Sequence, residues 1–578
     1  MKEGFRQCMA WLHTWTGLMV GWVLLFVFVT GTAGYFVYEI DRWMRPELPL
    51  AAPADMAVET SVAVAERYLE RNAVGADSWS VTLPGDRGQS NLSVNWRMPP
   101  DPANPNARSR FKRAVLDPVG GAEIKNLPVR ATGGGHLLYR MHYQLHYINY
   151  EVAFRLIGVC TMSMLMAIVT GVITHKKIFT DFFTFRPGKG QRSWLDAHNL
   201  ISVTALPFFL MITYSGLVFF AYQYMPAGLQ AAYGATEKDR QQFFEELPGR
   251  GDRGPATGVR AERASLVEAV RQAEAHWGPN RVASVSVRHP GDAASVISVR
   301  PREAGGRELL LTSLRYSGVT GAPLGSDDDS KSANSVFNDG MLQLHEGRFS
   351  GPFVRWLYFL SGLLGCAMIS TGLVLWTVKR KGKQDKLAKA GQRGEFGFRL
   401  VECLNIGTVA GLPVAVAAYF WANRLIPADF TGRRDWEVHV MYIAWGALIV
   451  YPAFRNSLRA WVDELWLASA AFGLLPIINW LTTDRHLGVT LPAGDWELAG
   501  FDLVMLGLAA FFAVAAQKVR RRIAVTANAA SDKARLALKS SGAVAQEVSP
   551  LDLRPPSDPA ATPRWPRVSD SLFPPIRN

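Results

Sequence analysis

The sequence predicts an α-helical integral membrane protein of about eight transmembrane helices, in which a duplicated helix–(α+β)–helix unit is followed by four further helices. Three observations carry that expectation. The chain has 578 residues, 49% of them hydrophobic and only 19% charged, which is too apolar for a soluble protein of this size. Its apolar residues come in blocks without Asp, Glu, Lys or Arg, and crossing a hydrocarbon core takes about 20 helical residues. Gln-Leu-His occurs twice, at 144–146 and 343–345, each time shortly before an arginine that opens a long apolar run.

The charge-free blocks span 7–38, 156–175, 199–235 and 356–378. Weaker candidates follow at 403–423, 438–454, 465–483 and 498–517, the last with Asp502 near its start. Lys2 and Arg6 ahead of the first block resemble a secretory signal. The block is too long for a signal core and no small-x-small site closes it, so an uncleaved anchor is expected. The expected organisation is helix 1 in 1–39, an outer domain at 40–150, helices 2 and 3 in 151–222, and a second outer domain at 223–353. Helix 4 lies in 354–380, a basic loop in 381–400 and helices 5–8 in 401–522. An Ala/Ser/Pro-rich tail, expected to be disordered and cytoplasmic, fills 523–578.

The net charge of +13 has a location. Segments 1–12, 176–195, 379–400 and 518–522 carry +1, +4, +6 and +4, and all fall on one side if eight helices alternate. The positive-inside rule makes that side the cytoplasm, with both termini inside. Basicity therefore reflects topology, and nucleic acid is not invoked. Cys8, Cys160, Cys366 and Cys403 all fall in or beside membrane helices, and no CxxC exists, which argues against a disulfide framework or an iron–sulfur site.

The two outer segments share a pattern. Each opens with a helical stretch, "VAVAERYLE" at 62–70 and "SLVEAVRQAEAHWG" at 265–278. Each continues in alternation, "WSVTL" and "LSVNW" in the first, "VASVSVR" and "SVISVR" in the second, and ends in a strand with a Gly turn. The membrane helices repeat as well. His13 precedes Thr30-Gly31 and His198 precedes Ser215-Gly216 at matching spacing. Helix 2 reads Gln144-Leu145-His146, Arg155, Thr170-Gly171, and helix 4 reads Gln343-Leu344-His345, Arg355, Thr371-Gly372.

A histidine at a membrane helix either hydrogen-bonds headgroups and backbone or serves a site. Retention at matching positions of both copies favours a site. Pseudo-twofold symmetry sets His13 opposite His198 and His146 opposite His345, and two facing imidazoles suit a low-spin haem b with one Nε2 on each axial side. Trp11, Trp15, Trp194 and Phe208 are candidate walls for the inner pair, and Tyr143, Tyr147, Phe349 and Phe353 for the outer one. An interfacial aromatic belt is the plainer reading of those rings. His142 lies one helical turn from His146 and could replace it. His175, near Lys176 and Lys177, could serve the inner haem or a propionate. Arg155 and Arg355 could snorkel or bind propionates. The four glycines read as close helix packing or as room for a macrocycle. His136, His276, His289, His439 and His486 are assigned nothing.

The stretches "WLHTWTGL" at 11–18, "HYQLHY" at 142–147, "TGVITHKKIFTDFFTFRPGKGQRSWLDAHN" at 170–199 and "QLHEGRFSGP" at 343–352 resemble the PepSY-associated transmembrane proteins. These are iron-regulated membrane proteins that include inner-membrane ferrisiderophore reductases. The resemblance covers residues 1 to about 380, and the outer segments resemble PepSY domains. It implies a bacterial inner-membrane protein holding haem b in the four-helix unit, which reduces ferric siderophores or other ferric chelates on the periplasmic side. The two histidine pairs give an expectation of two haems. Electrons would come from a quinol or a cytoplasmic reductant, since no nucleotide or flavin fingerprint is present. Periplasmic siderophore-uptake proteins are possible partners, beside the lipid membrane. Two other readings remain: a non-enzymatic PepSY-type sensor or regulator that binds a peptide or partner protein, and a transporter, which the lack of a buried acid–base chain in helices 1–4 weakens.

Overall fold

The computed structural model describes residues 3–48, 57–85, 87, 91–99, 110–124, 129–175, 184–246, 255–302, 312–326, 333–347, 349–392 and 394–546. Lys176, Lys177 and the tail beyond 546 lie outside them. The chain is an α-helical membrane protein. Among the described residues seven helices are long and apolar enough to span a bilayer, and a helix pair bent by 66° makes eight if it is one broken span. Helix 1 is Glu3–Gly34, helix 2 Tyr150–Thr174, and helix 3 the bent pair Gln191–Thr204 and Leu206–Val218. Helix 4 is Pro352–Lys389, helix 5 comprises Phe396–Val409 and Gly411–Leu425, and helix 6 is Arg433–Val450. Helix 7 comprises Ser457–Gly473 and Leu475–Thr482, and helix 8 begins at Trp496. Pro207 accounts for the bend in helix 3, because it has no N–H to give the preceding turn.

Between helices 1 and 2, and again between 3 and 4, the chain builds strands, and the seven among the described residues join one antiparallel sheet. They are β1 (Ser78–Thr82), β2 (Leu92–Met98), β3 (Arg110–Leu116), β4 (Val282–Arg288), β5 (Val296–Pro301), β6 (Leu314–Ser317) and β7 (Pro323–Ser326), in the order β3-β2-β1-β4-β5-β6-β7. The period-2 alternation marks most of these strands but gives no hint that the modules fuse. They fuse through β1 and β4, which pair Val81 with Val285 and Trp79 with Val287. Pairing removes one open edge from each module. Helices Val58–Asn72 and Leu266–Trp277 bury Val62, Ala65, Leu69, Val270 and Ala273 in one core with Val81, Val94, Val285 and Val299.

In the membrane unit helix 1 packs against helices 2 and 4, and helix 4 against helix 3. Two short helices lie on the sheet side of this bundle, Gly134–Gln144 before helix 2 and Ala333–Glu346 before helix 4. Helices 5–8 join through a buried polar network. Arg433 and Glu437 form an ion pair with both side chains fully buried. Glu437 also accepts from the Thr132 hydroxyl at 2.6 Å and from Asn423 at 2.9 Å. Arg424 stacks 3.6 Å over Trp43, whose indole N–H donates to Asp502 at 3.0 Å. Nearer the opposite end, Asn405 accepts from Trp22 and donates to the Leu373 carbonyl.

The chain divides into units Met1–Val519 and Arg520–Asn578. In the second, the backbone is helical to Gln546, where the sequence reading starts a disordered tail at 523. Residues 523–546 are rich in Ala and free of Pro, so helix propensity wins over a composition that only resembles a tail.

Candidate functional site

Four histidines meet in two pairs inside the four-helix unit. The ring centroids of His13 and His198 are 6.2 Å apart, and those of His142 and His345 are 5.9 Å apart. One hydrogen-bond pattern recurs at all four. His13 Nδ1 lies 2.8 Å from the Ala167 carbonyl, His142 Nδ1 2.7 Å from Val27, and His198 Nδ1 3.0 Å from Met368. His345 Nδ1 lies 3.0 Å from Ser215 Oγ and also turns to the Ile212 carbonyl. A carbonyl only accepts, so Nδ1 carries the proton and Nε2 keeps its lone pair.

The residue four places after each carbonyl is a glycine, and each glycine faces the histidine that the carbonyl holds. A Cβ on Gly31 would lie 2.5 Å from His142 Nδ1. On Gly171, Gly216 and Gly372 it would lie 3.1, 3.0 and 3.2 Å from Cε1 of His13, His345 and His198. The preceding Thr30, Thr170, Ser215 and Thr371 turn their hydroxyls back onto the carbonyls of their own helices. The Thr/Ser-Gly dipeptide is thus a cradle for an imidazole of a neighbouring helix. The sequence shows the dipeptides but not the crossing, in which His13 sits on Gly171 and His142 on Gly31.

The pairing differs from the symmetric expectation at one position. His142, not His146, faces His345. The helix Gly134–Gln144 ends just before Leu145, and Leu145 and Tyr147 both take positive φ, 51° and 65°. That turn carries His146 off the helical face. Its ring lies parallel to Tyr442 at 6.1 Å, beside Tyr147, whose hydroxyl bonds His439. Burial, followed by nearby Arg140, pushes the His146 pKa below its ordinary value. The Gln-Leu-His match therefore spans unlike backbone: Leu145 and His146 follow the end of one helix, whereas Gln343, Leu344 and His345 lie within another.

The remaining candidates are distributed unevenly. Arg355 is largely buried near Glu39, whereas Arg155 is 59% exposed and pairs with Glu151 one turn away. His175 caps helix 2 with a buried Nδ1 that has no hydrogen-bond partner among the described residues. It lines a cavity of about 600 Å³ with Arg186, Lys189, Arg192, Asp196 and Asn199. Of the expected walls, Trp11 and Phe353 turn outward. Tyr147 stands with His439, and Phe208 packs on Tyr358. Between the pairs lies an apolar layer of Leu24, Phe28, Cys160, Met164 and Met368. His13 and Val27 are fourteen positions apart on helix 1, which spaces the two sites by roughly 20 Å.

A metal bound at about 2 Å by two opposed imidazoles holds their centroids roughly 6 Å apart. Both pairs meet that spacing, and their hydrogen bonds among the described residues are made through Nδ1, so the donor set fits a bis-imidazole cofactor. Among the described residues no group of three or more His, Cys, Asp or Glu is placed to hold a metal ion.

A family model described as the PepSY-associated TM region matches residues 10–379. The chain belongs to this family. The PepSY-associated region takes in all four paired histidines and their glycines, and it stops before helices 5–8. The chain is also similar to the uncharacterized protein PA4219 of Pseudomonas aeruginosa, 24% identical over 359 residues, which cover 57% of this chain and 84% of that protein.

Proposed function

We propose that this PepSY-associated membrane protein transfers electrons across the bacterial inner membrane through two haem b groups and reduces ferric chelates on the sheet side. His13 and His198 would hold the inner haem, and His142 and His345 the outer one. The single observation that carries the reading is the fourfold pattern of a paired imidazole held through Nδ1 with glycine beneath the ring. A bound haem b would supply one-electron chemistry at iron. The carbonyls fix each ring's tautomer and orientation, as partners behind metal-bound imidazoles do. The apolar layer keeps water out between the two sites. Ferrisiderophores are the favoured substrates because Fe(II) is held poorly by hard oxygen chelators once formed. The donor would be a quinol or a soluble reductant. The basic stretch at the end of helix 4, remote from the sheet, supports a cytoplasmic location for that end and periplasmic PepSY-like modules.

Purified full-length protein loaded with haem is expected to give two haems per chain in a pyridine haemochrome assay. No CxxCH is present for covalent attachment, so acid–acetone should extract both. Haem-free protein would overturn the reading. It would leave the sensor alternative, for which β3 stands at one edge of the sheet, bridged on its outer side only at Leu116–Glu123 among the described residues.

The glycines give a graded test. Gly31→Ala is expected to disturb its pair more than Gly372→Ala, since the added carbon meets His142 at 2.5 Å but His198 at only 3.2 Å. Low-spin haem spectra should show partial or full loss of the outer site in the first variant and a near-normal inner site in the second. Equal spectra would detach the glycines from haem binding.

A further inference from the structure

Glu464 is a buried acid for whose carboxyl oxygens the described residues provide no hydrogen-bond partner. It sits on helix 7, is 1% exposed, and neither carboxyl oxygen has a hydrogen-bond partner among the described residues. It faces an interruption in helix 5. The helix breaks at Ala410, and a Cβ on Gly411 would lie 3.1 Å from Glu464 Oε2. Pro413 follows and has no N–H for the Val409 carbonyl. Leu448 of helix 6 closes the other wall at Gly411. A carboxyl group thus points at a break in a membrane helix, where no described residue donates to it.

The charged and titratable groups nearby do not neutralise it. Asp463, on the same helix, accepts from Tyr451 at 2.7 Å and from Arg455 at 2.9 Å at the surface. Cys403 of helix 5 is buried, and Glu402 beside it is tied to Arg399. Helix 6 turns Leu448 toward the break, and its Trp445 indole N–H donates to the Gly407 carbonyl at 3.1 Å. Helix 8, which meets helix 7 at Ser469, has no charge from Leu503 to Gln517. An ionised carboxylate so placed would cost several kcal/mol. An apolar residue of that size would pack there without such a cost, and an intramembrane acid is by default a functional group.

We propose that Glu464 is a proton-binding site of the C-terminal helices, a neutral carboxylic acid that exchanges its proton with water at the membrane face remote from the sheet. Exchange transfers the carboxyl proton to an entering water and returns it, with no oxidant or reductant. Glu464 lies seven residues from the start of helix 7, roughly 10 Å from that face. The Asp463–Tyr451–Arg455 group stands at the entrance. The site falls outside residues 10–379, so it does not depend on haem binding.

Infrared spectroscopy of the full chain in lipid nanodiscs tests this. At neutral pH the wild type is expected to show a buried carboxylic-acid C=O band that shifts in D₂O and is absent in Glu464→Gln. Asp463→Asn should retain the band and slow its shift several-fold. A band that is unchanged in Glu464→Gln would overturn the proposal, as would one that never shifts in D₂O in the wild type. A band that is lost on adding sodium but not choline would make the site a metal-cation site and would also overturn it.

Discussion

His142→Ala is expected to lower haem content from two to one per chain, while His146→Ala keeps two. The His142 ring is 5.9 Å from His345, donates to the Val27 carbonyl and rests on Gly31. His146 has none of these relations and stands against Tyr442. If the proposed haem is bound there, removing one of the two imidazoles that would hold it should weaken its retention in that pair. His345→Ala should therefore reproduce the His142→Ala spectrum, and in both the inner site should persist, since roughly 20 Å of helix separates the pairs. Haem quantification with low-spin absorption spectra measures all three variants. Loss in His146→Ala with retention in His142→Ala would restore the pairing suggested by the repeated Gln-Leu-His.

The membrane class was legible because it depends on composition over long windows, where local errors average out. The pairing of His13 with His198 was legible because both copies place them on helix at the same sequence distance from Thr/Ser-Gly, although the second copy bends between the two positions. The outer pair in the structure differs from the expected one for a physical reason. Motif identity assumes that equal letters have equal backbone, and positive φ at Leu145 and Tyr147 breaks that assumption two residues before helix 2 is capped by Asn149. The partners of the glycines were hidden because they come from other helices. The same limit hid the β1–β4 pairing: strand periodicity records which face is buried and says nothing about which edge meets which. Arg155 and Arg355 show the converse. They match in sequence, yet one is exposed and the other buried.

Glu437→Ala is expected to destabilise the protein by about 3–5 kcal/mol, because it strands a fully buried guanidinium. Arg433 would keep the Ala131, Ile426 and Asn423 carbonyls but lose its only counter-ion among the described contacts. Thr132 and Asn423 would lose an acceptor as well. Arg433→Met combined with Glu437→Leu removes both charges and should lie much closer to wild type, which separates a stranded charge from simple lost packing. Thermal unfolding in detergent gives the order. The network has a second consequence, because Thr132 and the Gly133 N–H that bind Glu437 lead directly into the helix that carries His142. On heating Glu437→Ala, the outer haem signal should therefore fall at a lower temperature than the inner one. Simultaneous loss would mean that helices 5–8 stabilise the bundle as a whole and do not specifically anchor the outer histidine.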